Sequence, residues 1–304
     1  MILILGVTAS GKGKLAFELA KQLDGEIISV DSMKVYRRMD IGTAKPPAER
    51  RAQIPHHLVD VVEPSESFSV DRYLELAEQA EKDILSRGKT PIAVGGTAMY
   101  IKTMLYGLFE GPGTDEAIRD KLRAEMEEIG KGKMHARLGE VDSEAAERIH
   151  PNDKKRIIRA LEVYELTGKP ISSFQTQFES GSIRPDCTVI GLRREKDIES
   201  RRINARVKRM IDEGLVDEVR GLLGEDEPLS KQAAVAIGYA EMIEHLQGEM
   251  SLDEAVEKIK INTRRFAKSQ RTWFKTFREV QWIDIAENEG IDSVLQRALE
   301  IVRR

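Results

Sequence analysis

Cysteine is almost missing from this sequence, with one residue, Cys187, in 304. A lone cysteine excludes an internal disulfide and suits a reducing compartment, so the chain is expected in the cytoplasm. Long apolar runs are missing too. The opening Ile2-Leu3-Ile4-Leu5 is too short for a signal peptide or a membrane span. No later stretch approaches the roughly 18 uninterrupted apolar residues that a span needs, and no membrane partner is expected. Aromatic residues make up 5% and charged residues 33%, which suits a soluble, helix-rich protein with a modest core. Neither sign of charge dominates, and the formal net charge of −4 weighs against a nucleic-acid partner unless basic residues are segregated. No repeat or low-complexity tract is present. The length accommodates one large domain or two of ordinary size.

What is present begins at once. The apolar run leads into Gly6-Val7-Thr8-Ala9-Ser10-Gly11-Lys12-Gly13, a phosphate-binding loop of the G-x-x-x-x-G-K type between a short buried strand and a helix. Glycines let successive backbone N–H groups converge on phosphate oxygens, the following helix adds its positive N-terminal end, and Lys12 adds a point charge. Residue 13, where Ser or Thr supplies the usual magnesium ligand, is Gly. Taken alone, the loop suggests ATP or GTP with a damaged magnesium site.

The first 110 residues alternate short apolar runs with helical stretches, the pattern of a parallel sheet covered by helices. Strands are expected at 2–5, 26–30 and 90–94, with 56–60 as a short strand or its approach. Helices are expected from Lys12 to about Leu23 and from Val70 to Ser86. Pro46-Pro47 keeps the loop at 41–47 out of a helix. From about Gly111 to Pro185 strand signals vanish and charged helical segments take over. Strand character returns at 188–192 and 281–285, with helices from about Ile198 to Leu223 between them. The expected fold is α/β, a P-loop NTPase-like parallel sheet core flanked by helices with an all-helical insertion. Residues 1–112 and 186–304 form the core and 113–185 the insertion.

Ligands of open α/β sheets sit at the carboxyl ends of the strands. Three polar clusters lie at such ends: the phosphate loop, Asp31-Ser32 and Gly95-Gly96-Thr97. Asp31 could be a general base or a metal ligand, and its place on the acceptor side favours the base. Gly95-Gly96 would allow a ligand close to the backbone, with the Thr97 hydroxyl offered to a substrate or leaving-group oxygen. His56-His57 reads as turn or packing residues, because no carboxylate or cysteine stands nearby at ligand spacing. From Lys258 to Arg278 there are eight basic residues and no acid. Lys260, Arg264, Lys268, Arg271, Lys275 and Arg278 fall on one helical face, with Val256, Ile259, Phe266, Trp273 and Phe277 on another. One sign sustained for five turns repels itself unless an anion covers it, which points to phosphate or nucleic acid. Further basic knots are Lys154-Lys155-Arg156 with Arg159, and Arg201, Arg202, Arg206, Lys208 and Arg209.

Several of these segments occur together in one known pattern. Gly6-x-Thr8-Ala9-Ser10-Gly11-Lys12, Asp31-Ser32-x-x-Val35-Tyr36, Met39 to Pro46 and His56-His57-Leu58-x-Asp60 appear in order. They are followed by Val94-Gly95-Gly96-Thr97-x-x-Tyr100, Arg156 to Val163, Ala236-Ile237-Gly238-Tyr239 and Gln270-x-Thr272-Trp273-Phe274. Over essentially its whole length the chain resembles the tRNA dimethylallyltransferases, also called isopentenyl-tRNA transferases.

The resemblance implies transfer of a dimethylallyl group from dimethylallyl diphosphate to N6 of adenosine at tRNA position 37. Residues 6–13 with Arg206 would hold the diphosphate, Asp31 would accept the N6 proton, and Lys12 and Thr97 would act at the leaving group. Mg²⁺ is the implied cofactor, with Ser10 as its ligand in place of the hydroxyl missing at Gly13. The implied partner is the tRNA anticodon stem-loop, its adenine flipped into the pocket of a monomeric enzyme. Its contacts would be Asp31, Ser32, Met33, Lys34, Thr97, Arg119, Lys155, Arg156, Ile157, Ile158, Arg159, Arg264, Lys268 and Arg271. Lys34 stands where many members carry Gln, and Ala240 and Ser269 replace residues that are often basic. Two other readings stay open: an RNA-binding homologue with weakened catalysis, and a cytokinin-type adenylate isopentenyltransferase.

Overall fold

A computed structural model of the chain describes residues 1–107, 111–174 and 184–303. The chain divides into two compact units, Met1–Leu105 with Ile183–Arg304, and Tyr106–Ser182. Along the first unit run β1 (Ile2–Gly6), α1 (Lys12–Gln22), β2 (Gly25–Val30), α2 (Ala48–Gln53), β3 (His56–His57), α3 (Val70–Ser86), β4 (Thr90–Gly95) and α4 (Ala98–Tyr106). The second unit carries α5 (Glu116–Ile129), α6 (Lys131–Val141), α7 (Ser143–Arg148), α8 (Lys154–Thr167) and a 3₁₀ turn at Ile171–Phe174. The first unit resumes with β5 (Thr188–Arg193), α9 (Lys196–Asp212), α10 (Leu215–Leu223), α11 (Lys231–Ala234), α12 (Tyr239–Leu246), α13 (Leu252–Phe274), β6 (Gln281–Asp284) and α14 (Ile291–Val302).

The sheet is parallel throughout, in the order β3-β2-β4-β1-β5-β6. A parallel sheet covered on both faces wants apolar residues at every position, and β1 is buried along its whole length. On one face α1 and α14 pack Leu15, Leu19, Val294, Leu295 and Leu299 against Ile2, Ile4, Ile27, Ile92 and Ile190. The strand order gathers the polar clusters. Because β4 lies between β2 and β1, the loops after these three strands emerge side by side at one edge, where the sheet order departs from chain order.

Among the described residues the second unit is all helical. Residues 175–183 of the expected insertion lie outside the described residues. Its core joins Leu122, Met126, Met134, Leu138, Ile157, Ala160, Leu161 and Val163. Glu162, fully buried, pairs with Arg119 and Arg159 and accepts the N–H of Asp115. Ile157 was expected among RNA contacts, but its side chain is wholly enclosed in this core, since position 157 faces the same side of α8 as Ala160 and Leu161. Ile158 packs on the rim of that core. Lys155 and Arg156 are exposed.

Candidate active site

Helix α1 begins with a bare N-terminus. Ser69, Asp115, Asp153 and Ser251 cap α3, α5, α8 and α13 through their side chains, whereas Gly11 opens α1 with no side-chain cap and no acid in the first turn. Its first N–H groups and the positive end of its dipole are therefore left for an anion. Lys12 donates to the Val7 carbonyl at 3.1 Å and folds over the loop. Helix α9 braces the loop from outside. Arg202 donates to the Ala9 carbonyl at 2.8 Å, Arg206 to the Thr8 hydroxyl at 3.2 Å, and Arg194 just before the helix to the Ser10 carbonyl at 3.1 Å. Arg194 is missing from what the sequence offered, and Arg202 stood there only in a basic knot, without a place at the loop. Arg202 and Arg206 lie one turn apart on α9, a spacing that marks them as a pair.

Next to the loop lies a concentration of positive charge. Desolvation, with the charges of Lys34 and Arg206 behind it, pulls the Lys12 amine down to about 7, against a smaller upward pull from Asp31. Desolvation also lowers Lys34 and Arg206, and the Asp31 charge opposes both shifts. Three cations around one carboxylate, in a place that disfavours their charge, describe a site for an anion carrying more than one negative charge.

Asp31 follows β2 and is held by the chain after it. Its Oδ1 accepts the N–H of Met33 at 3.0 Å and of Lys34 at 3.3 Å, while Oδ2 has no hydrogen-bond partner among the described residues. Thr97 follows β4, and its hydroxyl accepts the Ser32 N–H at 3.0 Å. The Thr97 hydroxyl hydrogen is thus left to donate elsewhere.

Gly95 and Gly96 were read as room for a ligand, but the crowding there is intramolecular. A Cβ on Gly95 would stand 1.9 Å from the Val30 carbonyl oxygen, and one on Gly96 would stand 2.3 Å from Gln270 Nε2. Gln270 is buried. Its Oε1 accepts the Thr8 N–H and its Nε2 donates to the Gly96 carbonyl, both at 2.8 Å. The sequence contained a signal for this residue, the Gln270-x-Thr272-Trp273-Phe274 motif, without the reason for it.

Helix α13 corrects the reading of the basic stripe. Its buried side is Ala255, Ile259, Ala267, Gln270 and Phe274, whereas Phe266 is 43% exposed and Val256 and Trp273 are only partly buried. The helix ends at Phe274, before Lys275 and Arg278. Nor is its charge without internal partners. Arg271 pairs with buried Glu199, Arg264 donates to Asn204 at 2.7 Å, and Lys258 and Lys260 pair with Glu244 and Glu257. The acids missing from 258–278 come from neighbouring elements and from Glu257, just before the stripe on the same helix. Lys268 remains exposed.

A resident metal finds little here. Among the described residues no three His, Cys, Asp or Glu side chains gather as ligands. His57 hydrogen-bonds Glu26 and His56 the Ile54 carbonyl. Position 13 offers no side-chain oxygen. Ser10 is fully buried against Gly6, and its hydroxyl is an unpartnered polar atom beneath the loop. This donor set fits a Mg²⁺ carried by phosphate oxygens and water, with the Ser10 hydroxyl an unclaimed oxygen within the loop itself.

Comparison with known proteins gives a consistent answer. A family model described as IPP transferase matches residues 34–277. The tRNA dimethylallyltransferase of Geobacter metallireducens is 46% identical over 299 residues, covering 98% of this chain and 96% of the relative. That of Acetivibrio thermocellus is 46% identical over 297 residues, with 97% and 95% covered. Among solved structures, the full-length tRNA isopentenylpyrophosphate transferase of Bacillus halodurans matches at 40% identity and TM-score 0.71, covering 99% of this chain and 96% of that one. A eukaryotic dimethylallyltransferase acting on tRNA matches at 29% identity and TM-score 0.83, covering all of this chain and 78% of that one. With matches of this extent, the chain belongs to the IPP transferase family.

Proposed function

We propose that this protein transfers a dimethylallyl group from dimethylallyl diphosphate to N6 of adenosine 37 in tRNA, releasing diphosphate. The relatives are named tRNA dimethylallyltransferases, and the geometry suits this reaction. The open N-terminus of α1 with Lys12, Lys34 and Arg206 grips the diphosphate. The N6 lone pair attacks the allylic carbon as the carbon–oxygen bond breaks, and the bonding pair leaves on the diphosphate. Asp31 Oδ2 takes the N6 proton while Oδ1 stays anchored on two backbone N–H groups. Thr97, already accepting from Ser32, donates its hydroxyl hydrogen to the departing oxygen. Bound Mg²⁺ would add charge neutralisation at the diphosphate.

Each of these residues comes from one chain's first unit, so a monomer suffices. The adenine must leave the loop stack to reach Asp31. The exposure of Lys155, Arg156 and Lys268 supports their use on tRNA phosphates, with Ser32 to Lys34 beside the flipped base. Arg119, Arg159, Arg264 and Arg271 are engaged within their own unit and serve chiefly to shape the surface. No helix among the described residues is long and apolar enough to cross a membrane. We place the reaction with its tRNA in the cytoplasm.

The observation that carries this reading is Asp31, one oxygen unclaimed, within a cluster of three cations at an uncapped helix. The test is incubation with dimethylallyl diphosphate, Mg²⁺ and either unmodified tRNA or AMP, followed by nucleoside mass spectrometry. Dimethylallyl adenosine in tRNA is expected. Product from AMP alone would move the assignment to a cytokinin-type enzyme. No product with intact tRNA binding would make the protein an RNA-binding homologue.

A further inference from the structure

We propose that Gln270 is a positioning residue that fixes the phosphate loop against the strand end carrying Thr97, and so sets the diphosphate grip relative to Asp31. Its effect on transfer rests on the function proposed above. Its effect on diphosphate binding does not.

The amide orientation is fixed by its partners. A backbone N–H can only donate and a carbonyl can only accept, so Oε1 faces Thr8 and Nε2 faces Gly96. One buried side chain from α13 thereby ties the β1–α1 junction to the β4–α4 junction. The connection continues: Gly96 precedes Thr97, Thr97 accepts the Ser32 N–H, and Ser32 follows Asp31. Three hydrogen bonds run from the loop that holds the leaving group to the residue beside the base.

Packing alone does not call for an amide here. A buried position against a glycine would be filled as well by Met or Leu, without the cost of satisfying two more polar groups. Gln270 also consumes a loop donor. With Thr8 N–H paired to it and Ser10 N–H paired to the Val7 carbonyl, the anion is left with the N–H groups nearer the start of α1. The bound phosphate is thus drawn toward Lys12. Gly96 is the complement of this arrangement, because any side chain there would displace the amide.

The test uses the full chain with Gln270→Met, which removes both bonds at similar size, and Gln270→Glu, which keeps the acceptor for Thr8 but sets an oxygen against the Gly96 carbonyl. Melting temperature, inorganic diphosphate binding by calorimetry, single-turnover rate at saturating substrates and tRNA affinity are measured below each variant's melting range. Gln270→Met is expected to weaken inorganic diphosphate binding at least fivefold and slow the single turnover tenfold or more. Its tRNA affinity should stay within twofold. For Gln270→Glu the rate relative to the parent should recover as pH falls from 8 to 5.5, because the protonated carboxyl again donates to Gly96. Should Gln270→Met fail to fold, that pH ratio decides. Diphosphate binding and turnover within twofold of the parent, or a flat pH ratio, would reduce Gln270 to packing and overturn the proposal. A parent that fails to modify tRNA would sink the transfer reading and leave the diphosphate result to stand by itself.

Discussion

The backbone N–H of Ser32 donates to the Thr97 hydroxyl at 3.0 Å, joining the loop that carries Asp31 to the end of the neighbouring strand. Thr97 therefore fixes the acceptor loop with its oxygen and, in the proposed reaction, would give its hydrogen to the leaving group. Thr97→Val removes both and should lower the single-turnover rate by about 10²-fold, the scale of losing one oxyanion donor. Thr97→Ser should stay within tenfold of the parent. A serine variant that loses more than the valine variant would show that the methyl group, not the hydroxyl, matters.

Asp31 is a base in this scheme rather than a metal ligand, and Asp31→Asn separates the roles. Asparagine still offers one oxygen to the N–H groups of Met33 and Lys34 but cannot take a proton. The turnover rate should fall by about 10²–10⁴-fold. Inorganic diphosphate should bind as tightly or more tightly, since a negative charge has left a site built for anions. Loss of diphosphate binding with little change in rate would make Asp31 part of the grip instead.

Lys12 gives the site a dependence on pH. Its amine titrates near 7 in the free folded chain, against 10.5 for an unburied lysine. Between those values the unfolded chain holds a proton that the folded one lacks, so this group's contribution to stability is lowest below pH 7 and grows as pH rises toward 10.5. Binding runs the other way. An anion favours the charged amine, so diphosphate binding takes up a proton above pH 7 and weakens as pH climbs from 7 to 9. Calorimetry in buffers of different ionisation enthalpy measures that uptake. Lys12→Arg, which stays charged, should flatten the dependence, and an equally steep profile in that variant would assign it to another group.

The strands were legible because a sheet buried on both faces writes itself as unbroken apolar runs, and Ile2 to Leu5 is such a run. The phosphate loop and Asp31 were legible because their chemistry is local. What brings them together was not. Glu218 shows the difficulty. It accepts the N–H groups of Asp40, Ile41 and Gly42 and the hydroxyl of Tyr239, and so pins the 39–45 loop from nearly 180 residues away. The Tyr239 ring lies where a side chain on Gly42 would go. Lys45 is buried on Asp40, Asp60 and the Tyr36 carbonyl. These motif residues read as a signature, yet their work is to hold a loop. Charge patterning misled for the same reason: the stripe on α13 looked unpaired because Glu199 and Glu244 belong to other helices.

In the helical unit, burial divides the basic residues into two groups that should respond differently. Removing the carboxylate with Glu162→Ala leaves Arg119 and Arg159 without their buried partner. A loss of roughly 3 kcal/mol or more in the stability of this unit is expected, read by thermal unfolding or limited proteolysis. Lys155→Ala with Arg156→Ala should leave the melting temperature unchanged, weaken tRNA binding, and reduce the slope of log affinity against log salt by about 2. An unchanged slope would remove both residues from the tRNA surface.

Gly13 separates the backbone of the phosphate loop from its metal chemistry. A Cβ at this position meets nothing within 4 Å, and the residue lies exposed in the first turn of α1. Gly13→Ala should therefore stabilise the chain by up to about 1 kcal/mol through the unfolded state alone, with a small rise in melting temperature. Gly13→Thr adds a hydroxyl where such loops usually present one to Mg²⁺, and Gly13→Val matches its shape without the oxygen. The threonine variant should reach half-maximal turnover at a lower Mg²⁺ concentration than the parent, while the valine variant should not. If all three share one Mg²⁺ dependence, the hydroxyl missing at this position is no handicap. The ion would then be held entirely by the diphosphate, its water and the oxygens already present around the loop.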